Sequence, residues 1–317
     1  MHRRQRTIRN SKSCKGVGLH TGVDSVITFH PAPENYGIRF VRSDIKDSPE
    51  IKVDIDHVVD ISRGTTIEQN DVRIHTVEHA LAAVNGLRID NVMIELNNKE
   101  TPVMDGSAKD FVDALSDAGI VKQEAKRKVL KITRAVNYTD YYRDIDIHVI
   151  PSDNFRVTFL VEYPLPALGT QYEAIYNMEE DFAFEVAPAR TFCFLSEIEM
   201  LKEQGLIKGG GLDNALVIID KKIDEMEINR LRDLFGIEAA IAKSSNGLLN
   251  GKLLRFKNEP VRHKTLDLIG DIALLGVPII GHITAARSGH ASNVEFVKKL
   301  KKVYAKELEE LWKGEKV

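Results

Sequence analysis

The chain has 317 residues, of which 43% are hydrophobic and 29% charged, with a formal net charge of −3. This length is comfortable for two domains, and the composition is that of an ordinary soluble globular protein. The small net charge excludes bulk attraction to nucleic acid or to anionic membranes. The basic N terminus has no apolar signal core, and the most apolar run, residues 272–283, is too short to span a bilayer. With only two cysteines, Cys14 and Cys193, we expect a cytoplasmic protein without a disulfide framework.

Alternating, β-branched segments in the first third of the chain predict strands at residues 25–30, 37–41, 51–59 and 65–74. A helical pattern follows at residues 76–85, with Gly86 as a favourable C-cap. A further predicted strand at 91–96 leads into a helix at 108–118. The charged stretch at 122–128 is the best candidate for a domain boundary.

The second half repeats this plan, with strands first and helices after them. Predicted strands cover residues 129–137, 145–150 and 155–163, and predicted helices cover 196–204, 261–275 and 291–312. We therefore expect an α+β fold with two similar domains, residues 1–124 and 125–317, each a β-sheet packed against helices. Residues 221–257 match no regular pattern and are interpreted as a variable insertion.

The sequence His75-Thr76-Val77-Glu78-His79 fits the pattern of inverted zincins, in which two histidines bind zinc and a glutamate activates water. His75 ends a strand-like run, directly before Thr76 as the expected N-cap, which favours a surface or strand-end histidine. Glu78 and His79 fall within the helix. Their adjacency suits a metal-water hydrolase, in which one residue binds the ion and its neighbour acts as general base. The alternative is the polar edge of an amphipathic helix.

The helical segment at 261–275 carries His263, Asp267 and Asp271 four residues apart, so all three project from one face. The rest of this helix is strongly apolar, and buried polar groups need partners. A metal ion with three nitrogen or oxygen ligands and an open position satisfies that need, whereas an exposed ion pair is the alternative. His290 follows Gly289 at a strand-to-helix tip, where it can face a cleft, and Asp271 can stabilise its protonated form.

The run Gly209-Gly210-Gly211 is not a phosphate-binding loop, because no Lys-Ser/Thr pair follows it. Glycines let a backbone approach a ligand closely, which makes Gly210 a candidate substrate contact. A mobile loop is the alternative interpretation. The lysine-rich stretch at 298–302 is followed by glutamates, so it predicts a solvated helix face and no nucleic-acid partner.

Several short motifs occur in order along the chain. They are Gly-Val-Gly-Leu-His-Thr-Gly at 16–22, Thr-Val-Glu-His at 76–79, Gly-Leu-Arg-Ile-Asp-Asn at 86–91, Pro-Val-Met-Asp-Gly-Ser at 102–107, Ala-Arg-Thr-Phe at 189–192, Arg-His-Lys-Thr-Leu-Asp at 262–267, Gly-Asp at 270–271 and Ser-Gly-His at 288–290. This ordered set resembles the UDP-3-O-acyl-N-acetylglucosamine deacetylase family over nearly the whole chain.

The resemblance implies zinc-dependent hydrolysis of the N-acetyl group of UDP-3-O-acyl-N-acetylglucosamine to the free amine and acetate, the committed step of lipid A biosynthesis. It implies an active site at the domain interface, with Zn²⁺ held by His79, His263, Asp267 and water. Glu78 corresponds to the general base. We expect a monomer whose partner is this small-molecule substrate, with no nucleic acid and no stable membrane insertion.

The same resemblance gives roles to further side chains. His290 corresponds to the residue that stabilises the oxyanion and protonates the leaving amine, and Asp271 corresponds to its orienter. Thr191 matches a hydroxyl that polarises the carbonyl, and Lys264 matches a substrate-binding lysine. The wall of a hydrophobic passage for the 3-O-acyl chain corresponds to Phe192, Phe194 and the stretch after them, with Cys193 as wall packing.

Two other functions stay open on the sequence alone. A zinc peptidase would use His75, Glu78 and His79 as its metal-and-base set. A non-catalytic protein that binds sugar nucleotides or lipids could keep the fold, but it would need no general base such as Glu78.

Overall fold

The computed structural model describes residues 4–62, 64–165, 168–221, 224–235, 247–249 and 253–313. Sheets packed against helices make up the described chain, which confirms the predicted α+β class. Of the predicted insertion, residues 222–223, 236–246 and 250–252 lie outside the described residues. In the part of the chain that is described, no helix combines the length and apolarity that a membrane crossing requires.

The first half holds a central five-stranded sheet and two smaller sheets. Its strands are β1 (Arg4–Ile8), β2 (Lys12–Val17), β3 (Asp24–Pro31), β4 (Ile38–Arg42), β5 (Glu50–Lys52), β6 (Val58–Asp60), β7 (Thr66–Gln69), β8 (Val72–Ile74), β9 (Val92–Leu96) and β10 (Ile120–Lys126). Its helices are α1 (Glu78–Gly86) and α2 (Lys109–Asp117), with a 3₁₀ turn at Ile55–His57. The central sheet has the order β2-β3-β9-β4-β5.

The second half is built around a larger sheet. Its strands are β11 (Leu130–Lys131), β12 (Val136–Asp140), β13 (Ile145–Ile150), β14 (Phe155–Glu162), β15 (Thr170–Ile175), β16 (Phe192–Phe194), β17 (Leu216–Ile218) and β18 (Ile279–Ala286). Its helices are α3 (Met178–Asp181), α4 (Leu195–Glu203), α5 (Glu225–Phe235), α6 (Glu259–Ala273), α7 (His290–Val303) and α8 (Ala305–Trp312), with a π turn at Phe182–Val186. The sheet has the order β12-β13-β18-β14-β15, with β11 beside β18.

The two central sheets share one topology. In the first, β9 pairs antiparallel with β3 and parallel with β4; in the second, β18 pairs antiparallel with β13 and parallel with β14. The helix before each of these strands, α1 or α6, therefore occupies the equivalent place in its half. This repetition confirms two similar domains, although no residue-level repeat is visible in the sequence.

Burial explains how the halves join. Strand β14 alternates buried Phe155, Val157, Phe159 and Val161 with half-buried residues, as a sheet with one covered face requires. Helices α1 and α6 are instead buried on nearly all sides. A helix surrounded by apolar contacts lies inside a core, and one continuous apolar cluster includes residues from both halves. The two equivalent helices therefore meet in the middle of the molecule.

Some sequence predictions were wrong in detail. Residues 51–59 do not form one strand, because the 3₁₀ turn at Ile55–His57 interrupts them. Thr76 is not the N-cap of α1: its φ is 60°, its hydroxyl donates to Glu100, and the helix begins at Glu78. The predicted helix at 291–312 is divided at Tyr304 into α7 and α8. Strand β10 pairs with β1 through the charged stretch, and the boundary between residues 124 and 125 stays a prediction.

Candidate active site

Helices α1 and α6, one from each domain, bring the predicted catalytic and metal-binding side chains together. Helix α1 carries Glu78 and His79 in its first turn, both almost fully buried. Helix α6 carries the predicted polar face at four-residue spacing, and that face is also buried. The two helices approach closely at Gly270, where an added Cβ would lie 2.2 Å from the carbonyl oxygen of Glu78. A side chain at position 270 would therefore separate the two halves of the site.

The three predicted metal ligands form a compact group. One ligand atom from each of His79, His263 and Asp267 lies within 4.8 Å of the others. Asp267 Oδ1 is 3.4 Å from His263 Nε2 and 3.9 Å from His79 Nε2. A tetrahedral ion with ligand atoms about 2.0–2.1 Å away holds them about 3.3 Å apart. The separation between Asp267 and His263 is close to that value, and the separation between Asp267 and His79 is about 0.6 Å longer.

The surroundings hold these ligands in the protonation states that a cation requires. Burial lowers the pKa of His79 to about 3 and also lowers the pKa of His263, so both imidazoles are neutral at pH 7. Burial opposes ionisation of Asp267, but the Lys264 ammonium holds the pKa of that carboxyl well below its usual range. His263 Nδ1 lies 3.0 Å from the Ala189 carbonyl oxygen, which can only accept. Nδ1 therefore carries the proton, and Nε2 presents its lone pair to the site.

Glu78 and His290 face each other beside the ligand group. His290 is the first residue of α7, placed there by the turn that follows β18. Its Nδ1 lies 2.9 Å from Asp271 Oδ2 and donates to that carboxylate. The other ring nitrogen, Nε2, lies 3.8 Å from Glu78 Oε1 and 3.9 Å from Asp267 Oδ2. With 3.8 Å between these two atoms, Glu78 and His290 can both reach a reacting atom that lies beside the pair.

The environment separates the proton affinities of this pair. Burial raises the pKa of Glu78 to about 7, although the positive charge of His290 opposes the rise. Burial alone would lower the pKa of His290, but the carboxylates of Asp271 and Asp267 outweigh it and raise that pKa to about 9. Near neutral pH the pair can thus combine a carboxylate that accepts a proton with an imidazolium that donates one.

A cavity of about 540 Å³ opens from this polar group. Its polar end includes Lys264, whose Nζ donates to Asp267 Oδ2 over 2.8 Å. Thr191 also lines the cavity, and its backbone N–H donates to the Gly106 carbonyl over 2.7 Å. The predicted carbonyl-polarising and substrate-binding side chains therefore line the same cavity as the predicted metal ligands His263 and Asp267.

The rest of the cavity wall is largely apolar. Phe192 and Phe194 line it and make edge-to-face contacts with each other and with Tyr163. Burial raises the pKa of Cys193 to about 12, so this lining residue stays a thiol, in agreement with wall packing. Further apolar lining comes from Leu19, Ile198, Leu201, Ile207 and Val217.

The glycine run contributes to this wall. Gly210 lines the cavity, and the neighbouring Gly209 donates its N–H to the Leu19 carbonyl over 3.0 Å. The side chain of Asn214 bridges the loop by accepting from Gly211 N and donating to Gly209 O, each over 2.8 Å. Position 209 needs a glycine, because an added Cβ would lie 2.3 Å from the Gly18 carbonyl oxygen.

His75 is not part of the ligand group. It follows β8, and its Nδ1 lies 3.0 Å from Thr66 Oγ1. Its backbone N–H donates to the Lys99 carbonyl over 2.8 Å. The strand-end interpretation of His75 therefore agrees with its position, and the ligand set of the peptidase alternative is not assembled.

Three residues of the site were not predicted from the sequence. Arg143, in the turn between β12 and β13, and Arg287, directly after β18, both line the cavity with positive charge. Thr65 contacts Glu78 and Asp271 from outside the predicted helices. Arg287 precedes the Ser-Gly-His motif, which is the nearest sequence hint; Arg143 and Thr65 stand in unremarkable segments.

Fold and site together define a two-domain α+β protein in which a carboxylate–imidazole pair, Glu78 and His290, lies beside the buried group of His79, His263 and Asp267, at the polar end of a largely apolar cavity. A family model described as UDP-3-O-acyl N-acetylglycosamine deacetylase matches residues 5–235 and 221–302. The chain belongs to this family. The two matched stretches overlap at 221–235, which includes α5 and belongs to the predicted insertion at 221–257.

Named relatives agree with the family. The bifunctional enzyme LpxC/FabZ of Chlorobaculum tepidum is 52% identical over 299 residues, which cover 94% of this chain and 64% of that protein. The UDP-3-O-acyl-N-acetylglucosamine deacetylase of Myxococcus xanthus is 40% identical over 93% of this chain and 86% of its own length. That of Chlamydia pneumoniae is 38% identical over 95% and 98%. The chain thus spans 64% of the length of its bifunctional relatives.

Proposed function

We propose that this chain hydrolyses the N-acetyl group of UDP-3-O-acyl-N-acetylglucosamine, releasing acetate and the free amine in the committed step of lipid A biosynthesis. The observation that carries the proposal is the placement of Glu78 and His290 side by side, 3.8 Å apart, next to the ligand group. Deacetylation needs both a base for water and an acid for the leaving amine, and this pair offers one of each. The names of the relatives supply the substrate.

The ligand group fits zinc. Two neutral imidazoles and one carboxylate, His79, His263 and Asp267, give a three-ligand set of the catalytic type. The Nδ1–H of His263 donates to a backbone carbonyl, an outer contact typical of metal-binding histidines. When bound, the ion supplies Lewis-acid activation of water and of the amide carbonyl.

The chain's own residues divide the remaining work. Glu78 accepts the proton of the attacking water, since burial holds its pKa near neutrality. The Thr191 hydroxyl and the His290 imidazolium oppose the negative charge that develops on the carbonyl oxygen. His290, held by Asp271, then donates a proton from Nε2 to the amine nitrogen as the carbon–nitrogen bond breaks. Acetate and the amino sugar nucleotide leave.

The cavity suits an acylated sugar nucleotide. Lys264, Arg143 and Arg287 place positive charge along its lining, where a diphosphate needs it. The aromatic and aliphatic wall around Phe192 and Phe194 offers an apolar surface for the 3-O-acyl chain. We further propose a monomer that acts on this small molecule, with the domain boundary between residues 124 and 125.

The direct test is acetate release from UDP-3-O-acyl-N-acetylglucosamine by the purified chain, before and after chelation and after zinc is restored. We expect activity to disappear with the chelator and to return with about one equivalent of zinc. His263→Ala should lose both metal and turnover, and the matched variant His75→Ala should keep both. Folded protein that releases no acetate with any metal would refute the function, and loss of metal in His75→Ala would favour the peptidase.

A second pair of measurements separates an enzyme from a binding protein. Glu78→Gln keeps the shape of the side chain but removes the base, so substrate affinity should stay within a few-fold while turnover falls by about 10²–10⁴-fold. Full turnover in this variant would show that Glu78 is not the base.

A further inference from the structure

Thr65 contacts both partners of the acid–base arrangement. Its backbone N–H donates to Glu78 Oε2 over 2.9 Å, and its hydroxyl donates to Asp271 Oδ1 over 2.7 Å. The residue is fully buried, just before β7, and it is not among the residues that line the cavity. One residue outside the substrate's reach thus joins the base on α1 to the carboxylate that holds His290.

Asp271 depends on its donors because it is fully buried on α6. Oδ2 accepts from His290 Nδ1 and from Asn293 Nδ2, each over 2.9 Å, while Oδ1 accepts from the Thr65 hydroxyl. A buried carboxylate that loses one of these charge-assisted bonds is left with an unsatisfied oxygen. It can recover a partner only by rotating, and rotation would change the direction of the His290 ring.

The backbone around Thr65 keeps the residue in place. Its carbonyl accepts from Val77 N over 3.1 Å, at the start of α1. The preceding Gly64 has a φ of 151°, and an added Cβ there would lie 2.7 Å from Glu78 Oε1. Residues 64 and 65 therefore pack closely against the Glu78 carboxylate, so a shift of Thr65 would also move Glu78.

We propose that Thr65 is a positioning residue: it holds the Glu78 carboxylate and the Asp271–His290 pair at the separation that lets both act on one substrate amide. The proposal rests on the proposed function insofar as Glu78 and His290 are the base and the acid. Because Thr65 does not line the cavity and is not a metal ligand, its hydroxyl should affect the chemical step and leave substrate and metal binding unchanged.

The test compares Thr65→Val, which keeps the shape and removes the hydroxyl, with Thr65→Ser, which keeps the hydroxyl. Thr66→Val is the matched control, since the neighbouring Thr66 is also buried and its hydroxyl contacts His75 outside the site. For Thr65→Val we expect kcat to fall by about 10- to 100-fold, the worth of a hydrogen bond to a charged group. KM and zinc content should not change. Thr65→Ser should restore most of kcat, and Thr66→Val should match the unmodified protein.

Equal kcat in Thr65→Val and Thr66→Val would overturn the proposal, as would a loss that Thr65→Ser does not restore. If Thr65→Val does not fold, Thr65→Ala removes the same hydroxyl without added bulk. Its kcat is then compared with those of Thr65→Ser and Thr66→Val in the same way. The low-field Nδ1–H proton resonance of His290 gives a readout that needs no turnover: it should move in Thr65→Val and stay in Thr66→Val. Should the unmodified protein release no acetate, the function fails while this resonance still decides the role of Thr65.

Discussion

Replacement of Gly270 by alanine should reverse the usual effect of this substitution. On an open helix face, glycine to alanine stabilises by about 0.5–1 kcal/mol, because it reduces the freedom of the unfolded chain. At position 270 the new Cβ would lie 2.2 Å from the Glu78 carbonyl oxygen, 2.9 Å from its carbon and 3.0 Å from its Cα. All three atoms belong to the backbone of α1, so no side-chain rotation relieves the contact.

The displacement follows from these distances. A carbon–oxygen contact needs about 3.3 Å, so α1 and α6 must part by about 1 Å. Overpacking of this kind costs about 1–3 kcal/mol, which exceeds the helix-propensity gain. The same displacement of about 1 Å would move Glu78 and His79 away from their partners on α6. Misplacement by about 1 Å costs catalysis about 10²-fold.

The assay combines urea unfolding with acetate release at saturating zinc. Leu300→Ala is the control: Leu300 is fully buried on α7, ten residues after His290 and about 15 Å along the helix axis. It should lose about 2–5 kcal/mol of stability and keep its kcat below the unfolding transition. Gly270→Ala should lose less stability but far more kcat. A Gly270→Ala protein that is stabilised and fully active would refute the close helix contact.

Three further predictions concern pH and the cavity. The rate of acetate release should rise as Glu78 loses its proton, with a pKa of about 7, and fall as His290 loses its own, with a pKa of about 9. A bound dication moves both limbs of this pH profile to lower pH. A flat profile between pH 5 and 10 would contradict the assignment of Glu78 as base and His290 as acid. In the metal-free protein, protonated His290 contributes its whole stabilisation below about pH 6.5, because its pKa is raised to about 9 in the folded state. Tm should therefore decrease as pH rises from about 6.5 through about 9. A constant Tm over this range, measured by calorimetry, would contradict the prediction. Leu231 of α5 packs in one apolar cluster with the cavity-lining residues Ile198 and Val217. Leu231→Ala should therefore change the relative kcat/KM for substrates of different acyl length, while zinc content, the control, stays unchanged. The same order of kcat/KM values in the variant and the unmodified protein would show that α5 does not shape the passage.

Local sequence patterns predicted much of the candidate site. The four-residue spacing from His263 to Asp271 determines that these side chains share one face of any helix, and the adjacency of Glu78 and His79 puts both in the first turn of α1. The alternation of polar and apolar residues likewise predicted β13 and β14 to within one residue. These properties depend only on helical and strand periodicity, so sequence alone was sufficient for them.

Tertiary structure decided which of these groups meet. Whether His75 or His263 joins His79 depends on the packing of α1 against α6, and that packing depends on a close backbone approach at Gly270 that no local pattern encodes. The role of Thr65 was equally invisible, because its two partners lie 13 and 206 residues away along the chain. Periodicity determines the face from which a side chain projects. The element that meets that face is determined by long-range packing, since burial is satisfied only when both domains have folded around the same core.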